Sequence, residues 1–216
     1  MASQAHSELV RIPAESVWME GMLEIPPDPV GIVLFAHGSG SSRLSPRNNY
    51  VAKVLRDARL ATLLLDLLSP QEDSIYRTRF DIFLLTQRLQ TAFKWLRQHG
   101  QASSLPVGLF GASTGAAAAL QLAALADSAI GAVVSRGGRP DLAGKEALEK
   151  VTPPTLLIVG GSDDVVIDLN NAAYAVLHCE KEMVIVPGAT HLFEEPGTLE
   201  AVAELARNWY LRHLTK

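Results

Sequence analysis

Short, continuously apolar stretches recur along the chain without alternation of apolar and polar positions. They occupy residues 31–36, 60–65, 106–110, 130–134, 154–159 and 182–186. Strands of this kind are buried on both faces, as in a sheet that helices cover on each side. The pattern therefore predicts a sheet whose strands lie in the interior of the molecule.

Helical spacing of apolar residues appears between these strands. Apolar residues recur every three or four positions over 82–96, Ser45-Pro46 provides an N-cap followed by proline, and an alanine- and leucine-rich segment occupies 116–125. Further helical patterns cover 169–177 and the C-terminal segment through Val202, Leu205 and Trp209. Alternation of strands and helices requires right-handed crossovers, and predicts an α/β fold with a mainly parallel, doubly wound sheet.

The first part of the chain departs from this alternation. Residues 8–13 and 17–25 are strand-like, and Ala14-Glu15-Ser16 is short enough to join them as a hairpin. We therefore expect an antiparallel hairpin at one edge of the sheet. With 216 residues, the chain is expected to form one domain over 1–216. In a mainly parallel sheet of the predicted kind, binding sites form beyond the carboxyl ends of the strands.

Composition excludes several classes of function. The net charge is −4 and no block of Lys or Arg occurs, which argues against nucleic-acid binding. No apolar run reaches the roughly 18 residues of a membrane span, and the N-terminus lacks the pattern of a secretory signal. We therefore expect a cytoplasmic protein that does not bind membranes. Cys179 is the sole cysteine and is expected to pack as a small apolar residue.

A strong candidate for chemistry is Gly111-Ala112-Ser113-Thr114-Gly115, which fits G-x-S-x-G. It follows a buried strand and precedes a helix, the setting in which this motif presents a nucleophilic serine on a sharp turn. The glycines are needed because bulky side chains would collide across that turn. We predict Ser113 as the nucleophile.

A serine hydroxyl near neutral pH needs a general base. Of the six histidines, only His191 follows the last strand, where the chain order nucleophile, acid, base places it. The orienting carboxylate should follow the preceding strand, where Asp163 and Asp164 are adjacent. We predict Asp163, while Asp141 and Glu194 are less suited by position.

An acyl-transfer site also needs donors for the oxyanion. The backbone N–H of Thr114, directly after the nucleophile, should supply one. The second should come from the Gly- and Ser-rich loop after the strand 31–36, where we assign the N–H of Ser39. His37 in that loop is expected to hold the loop in place rather than to act in catalysis.

With these residues in place, the chain resembles α/β-hydrolases of the dienelactone-hydrolase-like group over nearly its whole length. The stretches FAHGSGSSR at 35–43, SPRN at 45–48, SRGGRPDL at 135–142 and GATHLFEE at 188–195 resemble a subgroup often fused to phosphoribosyltransferases. We expect a free-standing form here, because the chain leaves no room for a transferase. Dienelactone hydrolases themselves use a cysteine nucleophile, and this chain has Ser113. The resemblance implies ester hydrolysis through an acyl-enzyme, with no metal and no organic cofactor.

Substrate contacts are suggested by polar residues beside these motifs. About 19 residues separate the strands 130–134 and 154–159, too few for a full lid, so we expect an open site that prefers short acyl esters. Ser41, Arg43, Arg136 and Arg139 are candidate substrate contacts. For Arg136 and Arg139 the alternatives are a clamp for a substrate carboxylate or an ion pair with Asp141 or Glu194.

Two other functions remain open at this stage. The same triad serves thioesterases, acyltransferases and amidases, which the sequence does not separate from esterases. A second alternative is a non-catalytic protein of this fold that binds a ligand or a partner, although such proteins usually lose a triad member. The expected partner is a small ester substrate, and the oligomeric state is left open.

Overall fold

An eight-stranded sheet forms the centre of the computed structural model, which describes residues 5–125 and 129–215. The strands are β1 (His6–Ala14), β2 (Val17–Ile25), β3 (Gly31–Ala36), β4 (Leu60–Leu65), β5 (Val107–Ala112), β6 (Ile130–Arg136), β7 (Thr155–Gly160) and β8 (Lys181–Val186). Their order in the sheet is β1-β2-β4-β3-β5-β6-β7-β8. From β4 to β8 all neighbours are parallel.

The N-terminal hairpin forms one edge of the sheet, as the sequence predicts. β1 and β2 pair antiparallel from His6 opposite Ile25 to Ala14 opposite Val17, and β2 then pairs antiparallel with β4. Glu15 makes the turn with a positive φ of 54°. β1 is slightly longer than the predicted 8–13, because its pairing with β2 continues to both ends of the hairpin.

Helices cover both faces of the sheet. They are α1 (Pro46–Asp57), α2 (Pro70–Asp73), α3 (Ile82–Leu96), α4 (Thr114–Ala123), α5 (Lys145–Lys150), α6 (Asp164–Val176) and α7 (Thr198–Leu214). Helices α1 and α7 pack on one face, while α3, α4, α5 and α6 pack on the other. β3 sends Ile32 and Leu34 to one core and Val33 and Phe35 to the other. Burial on both faces is why the strand lacks apolar–polar alternation.

The helix boundaries follow local capping chemistry. The Ser45 side chain accepts the Asn48 N–H and Pro46 opens α1, as predicted. The apolar pattern does not predict α2 and α5, which have four and six residues and are too short to show apolar periodicity. The pattern predicts the start of α6 at residue 169, whereas the helix begins at Asp164, because its first turn exposes Val165 to solvent.

Cys179 is half-buried against the core, and burial raises the pKa of its thiol. Among the helices of the described residues, none is both long and apolar enough to cross a membrane.

Candidate active site

Ser113 forms a sharp turn between β5 and α4. Its backbone has φ 49° and ψ −119°, a conformation that costs a non-glycine residue on the order of 1–3 kcal/mol. Backbone hydrogen bonds hold this turn: the Ser113 N–H donates to the Arg136 carbonyl at 3.3 Å, and the Ser113 carbonyl accepts the N–H of Arg139 at 3.1 Å. The side chain is half-buried at the carboxyl end of the sheet. This is the strained elbow that the motif predicts.

The glycines on either side of Ser113 are required by close packing. A Cβ on Gly111 would lie 2.7 Å from the Ala116 nitrogen. A Cβ on Gly115 would lie 2.5 Å from the His37 carbonyl oxygen. Contacts this short do not occur for real Cβ atoms. A larger residue at position 111 would push α4 away from β5, and one at position 115 would push the elbow away from the end of β3.

His191 lies in the loop after β8 and is hydrogen-bonded to Asp163. Its Nδ1 and the Asp163 Oδ2 are 2.7 Å apart, with the two side chains 37% and 17% exposed. Asp164 is exposed and begins α6. The structure thus brings Asp163 to the imidazole. Of the less favoured carboxylates, Asp141 pairs with Arg139 and Glu194 pairs with Arg47.

The loops after β7 and β8 are tied together, which explains how two distant residues meet. The Gly161 N–H donates to the Val186 carbonyl at 2.8 Å, and the Ser162 N–H donates to the Ala189 carbonyl at 2.9 Å. The Glu195 carboxylate accepts both the N–H and the hydroxyl of Thr190, and these bonds lower the pKa of Glu195. The segment carrying His191 is therefore anchored on both sides.

The end of β6 lies between Ser113 and His191 and shows that both residues are at the same edge of the sheet. A Cβ on Gly137, directly after β6, would lie 3.6 Å from the His191 Cε1, and the Arg136 carbonyl before it binds Ser113. Within residues 5–125 and 129–215, no hydrogen bond joins the Ser113 hydroxyl to the imidazole. Such bonds are often long in unliganded enzymes and shorten when substrate binds.

Both predicted oxyanion donors lie next to Ser113. A Cβ on Gly38 would lie 3.0 Å from the Ser113 Cβ, which places the loop carrying Ser39 against the nucleophile. In the described part of the chain, the N–H groups of Ser39 and Thr114 donate no hydrogen bond. Thr114 is the first residue of α4, so its N–H also lies at the positive end of that helix.

His37 has a structural place in this loop. Its Nε2 accepts the Leu67 N–H at 3.0 Å, so the proton resides on Nδ1, which lies 2.9 Å from the Gly38 carbonyl oxygen. Burial lowers the pKa of His37, which favours the neutral ring that this pair of bonds requires. The imidazole therefore fastens the loop to the end of β4, as expected.

Two of the four candidate substrate contacts form ion pairs elsewhere in the protein. Arg139 forms two hydrogen bonds with Asp141, at 2.8 and 2.7 Å. Arg43 pairs with Asp66 and Glu20 at the hairpin side of the sheet. The Ser41 N–H closes a turn onto the Gly38 carbonyl, which leaves its hydroxyl as a candidate substrate contact. The ion-pair alternative thus describes Arg139, while Arg136 is buried and pairs with neither Asp141 nor Glu194.

The sequence does not predict the cover over the loop that carries Ser39. The expectation of no full lid after β6 agrees with the short segment found there, but residues 66–81 approach the loop from the other side. Arg79 bonds to Asp73, and its guanidinium lies close to Gly40. Together with Thr114, these residues line a narrow cleft beside the loop. No motif marks these residues, since their contacts depend on how a polar loop folds back.

The strained elbow and the His–Asp pair lie at the carboxyl edge of a mostly parallel eight-stranded sheet, which defines the α/β-hydrolase fold. The family model of the dienelactone hydrolase family matches residues 66–214. The chain therefore belongs to the dienelactone hydrolase family. A crystal structure of a dienelactone hydrolase from Anabaena variabilis is 54% identical, with a TM-score of 0.93, and the match covers 98% of this chain and 100% of that one.

Other relatives extend the comparison. Two curated proteins from Mycobacterium tuberculosis strains, each named putative phosphoribosyl transferase, are 56% identical over 207 residues. The match covers 96% of this chain and 46% of each relative, so the chain spans about half their length. Est1E from Butyrivibrio proteoclasticus has the same fold, at 16% identity and a TM-score of 0.82, over 96% of this chain and 99% of that one.

Proposed function

We propose that this protein hydrolyses carboxylic esters through an acyl-enzyme on Ser113, with His191 as general base and Asp163 as its orienting carboxylate. The single observation that carries the proposal is the 2.7 Å bond between His191 and Asp163 at the edge where Ser113 forms a strained elbow. Membership of the dienelactone hydrolase family supports hydrolysis as the reaction class.

In the first half of the reaction, the Ser113 Oγ attacks the ester carbonyl carbon while His191 Nε2 takes the hydroxyl proton. Asp163 accepts the Nδ1–H and stabilises the imidazolium that forms. The N–H groups of Ser39 and Thr114 bind the oxyanion of the tetrahedral intermediate. Its collapse breaks the bond to the alcohol oxygen, which receives the proton from His191.

In the second half, water attacks the acyl group. His191 takes a proton from the water, a second tetrahedral intermediate forms, and its collapse releases the acid and returns the proton to Ser113. No step needs a metal or an organic cofactor. The short segment between β6 and β7 supports a preference for small acyl groups, since it provides no large apolar cover for a long chain.

The name of the curated mycobacterial relatives does not change this proposal. The chain spans 46% of those proteins, so a transferase activity can belong to the part it does not match. Thioesters and amides remain alternative substrates for the same residues. A different kind of function is also an alternative: a non-catalytic protein of this fold that binds a ligand or a partner.

The experiment is hydrolysis of p-nitrophenyl esters from acetate to palmitate by the wild type and the Ser113→Ala variant. We expect turnover of the short esters and loss of nearly all activity in the variant. Preference for long esters would refute the open site while leaving the nucleophile in place. Absence of turnover on every ester by folded protein would refute the esterase proposal, and labelling by a fluorophosphonate would then separate other acyl substrates from a binding role.

A further inference from the structure

Two adjoining cavities form a groove at the carboxyl edge of the sheet, beside the turn that contains the proposed oxyanion donor Ser39. Their volumes are about 140 and 410 Å³, and they share the lining residues Asp66, Leu68 and Pro70. The smaller cavity reaches Ser41, which ends that turn. The groove therefore starts next to the reacting centre and leads towards the N-terminal hairpin, with space for a substrate part larger than a short acyl group.

Trp18 of the hairpin lies at the far end of this groove. The Asp66 N–H donates to the Glu20 carbonyl at 2.9 Å, so β2 extends past the carboxyl end of β4 and brings Trp18 to the same edge as Ser113. Trp18 lines the larger cavity and is 54% exposed, with the guanidinium carbon of Arg11 5.3 Å from its ring centroid. An exposed indole beside a cavity offers a flat apolar surface on which another ring can lie.

The charged residues of the larger cavity balance one another. Arg11 and Arg43 bring two positive charges, and Glu20 and Asp66 bring two negative charges. Arg43 forms ion pairs with both carboxylates, at 2.8 Å with Glu20. An ionised ligand would meet a groove without net charge and would compete with these pairs, so the groove favours a neutral ligand.

Polar side chains along the groove are available to such a ligand. Ser16 and Gln71 are exposed at the larger cavity, and Ser41 is partly exposed at the smaller one. Within residues 5–125 and 129–215, these three side chains form no hydrogen bond. Hydroxyl and amide groups both donate and accept, so they suit a ligand whose own groups do both, as hydroxyl groups do.

We propose that this groove binds a neutral sugar as the alcohol part of the substrate, so that the protein cleaves short acyl esters of small carbohydrates. A sugar has an apolar ring face for Trp18, hydroxyl groups for Ser41 and Gln71, and no charge. Since β4 and β3 separate β2 from β5, Trp18 lies three strand spacings, about 14 Å, from Ser113 across the sheet. A disaccharide spans this distance better than a single ring. The proposal rests on the proposed esterase function and adds the substrate class.

The kinetic test compares four acetates of primary alcohols, each corrected for its rate of hydrolysis by hydroxide. They are 6′-O-acetylcellobiose, methyl 6-O-acetyl-β-D-glucopyranoside, cyclohexylmethyl acetate and benzyl acetate. For the wild type we expect kcat/KM of the cellobiose ester to exceed that of cyclohexylmethyl acetate by about 10-fold or more, with the glucoside between them. An equal or higher value for cyclohexylmethyl or benzyl acetate would overturn the proposal.

Variants locate the effect. Trp18→Ala should lower kcat/KM for the cellobiose ester by about 10-fold, mainly through KM, and leave that of cyclohexylmethyl acetate unchanged. Phe83→Ala removes another exposed aromatic side chain, which lines neither cavity, and should keep the wild-type ratio of the two esters. A ratio that survives in Trp18→Ala would overturn the proposal. If that variant does not fold, Gln71→Ala, in the exposed surface of α2, must lower the ratio, and an unchanged ratio would be equally contrary.

A binding measurement separates this proposal from the esterase proposal. Free cellobiose is added to the wild type, Ser113→Ala and Trp18→Ala, and saturation transfer from protein to sugar protons is measured by NMR. We expect transfer with the wild type and Ser113→Ala, and clearly weaker transfer with Trp18→Ala. Absence of transfer from the folded wild type, or equal transfer from Trp18→Ala, contradicts the sugar groove. Transfer without hydrolysis of any of the four acetates contradicts the esterase proposal alone.

Discussion

Replacing Asp163 by Asn tests the role of the bond that carries the proposed mechanism. The change keeps the size of the side chain but removes its negative charge. The new amide can also present its NH₂ group to the imidazole, which favours the tautomer with its proton on Nε2. That nitrogen can then no longer accept the proton of Ser113.

The expected magnitude follows from the geometry. At the observed 2.7 Å, an imidazolium and a carboxylate attract by about 6 kcal/mol if the effective dielectric constant is about 20. This is an upper value, because the two side chains are 37% and 17% exposed. A fall in kcat of about 10³- to 10⁴-fold, equal to about 4 to 5.5 kcal/mol, is consistent with it.

The assay is kcat for p-nitrophenyl acetate, with thermal unfolding as a check that each variant is folded. Asp164→Asn is the matched control, since it makes the same chemical change at the adjacent, exposed position. We expect the control to keep kcat within a few-fold of the wild type. The reasoning is refuted if Asp163→Asn stays within tenfold of the wild type, or if both variants lose activity equally.

Three further predictions concern stability. Gly115→Ala should lower the melting temperature by several degrees in a thermal scan, because its Cβ would overlap the His37 carbonyl, and an unchanged value would contradict the packing. Burial holds the folded pKa of His37 below 6.5, so below that pH only the unfolded chain takes up the proton and stability falls. In urea unfolding at pH 7.5 and 5.5, the wild type should lose more stability than His37→Asn, and equal losses would refute this. Tyr210→Phe removes a buried 2.6 Å bond to the Leu109 carbonyl and should cost about 1–3 kcal/mol in urea unfolding without changing esterase kcat. Loss of kcat in folded Tyr210→Phe would contradict a purely structural role.

The sheet could be predicted from the sequence because its strands are buried on both faces. β3 and β4 match the apolar stretches residue for residue, since a strand with no exposed face has no polar positions to blur its ends. The position of Ser113, His191 and Asp163 at one edge of the sheet could be predicted for a related reason. Each follows the carboxyl end of a strand, and parallel strands bring those ends to one edge.

Features that depend on long-range side-chain contacts could not be predicted. Nothing in the local pattern distinguishes Arg139, which pairs with Asp141, from Arg136, which is buried and pairs with no carboxylate of residues 5–125 and 129–215. The approach of Arg79 to Gly40 likewise depends on the path of a polar loop. For such residues, only the packed structure shows which partner is within reach.

Covalent labelling of Ser113 tests the central claim most directly. The folded protein is treated with a fluorophosphonate, digested and analysed by mass spectrometry, with Ser113→Ala and His191→Ala treated in parallel. The account predicts one adduct on the peptide containing Ser113, no adduct in Ser113→Ala, and much slower labelling in His191→Ala. Labelling of another residue, or equal labelling of the wild type and His191→Ala, would contradict it.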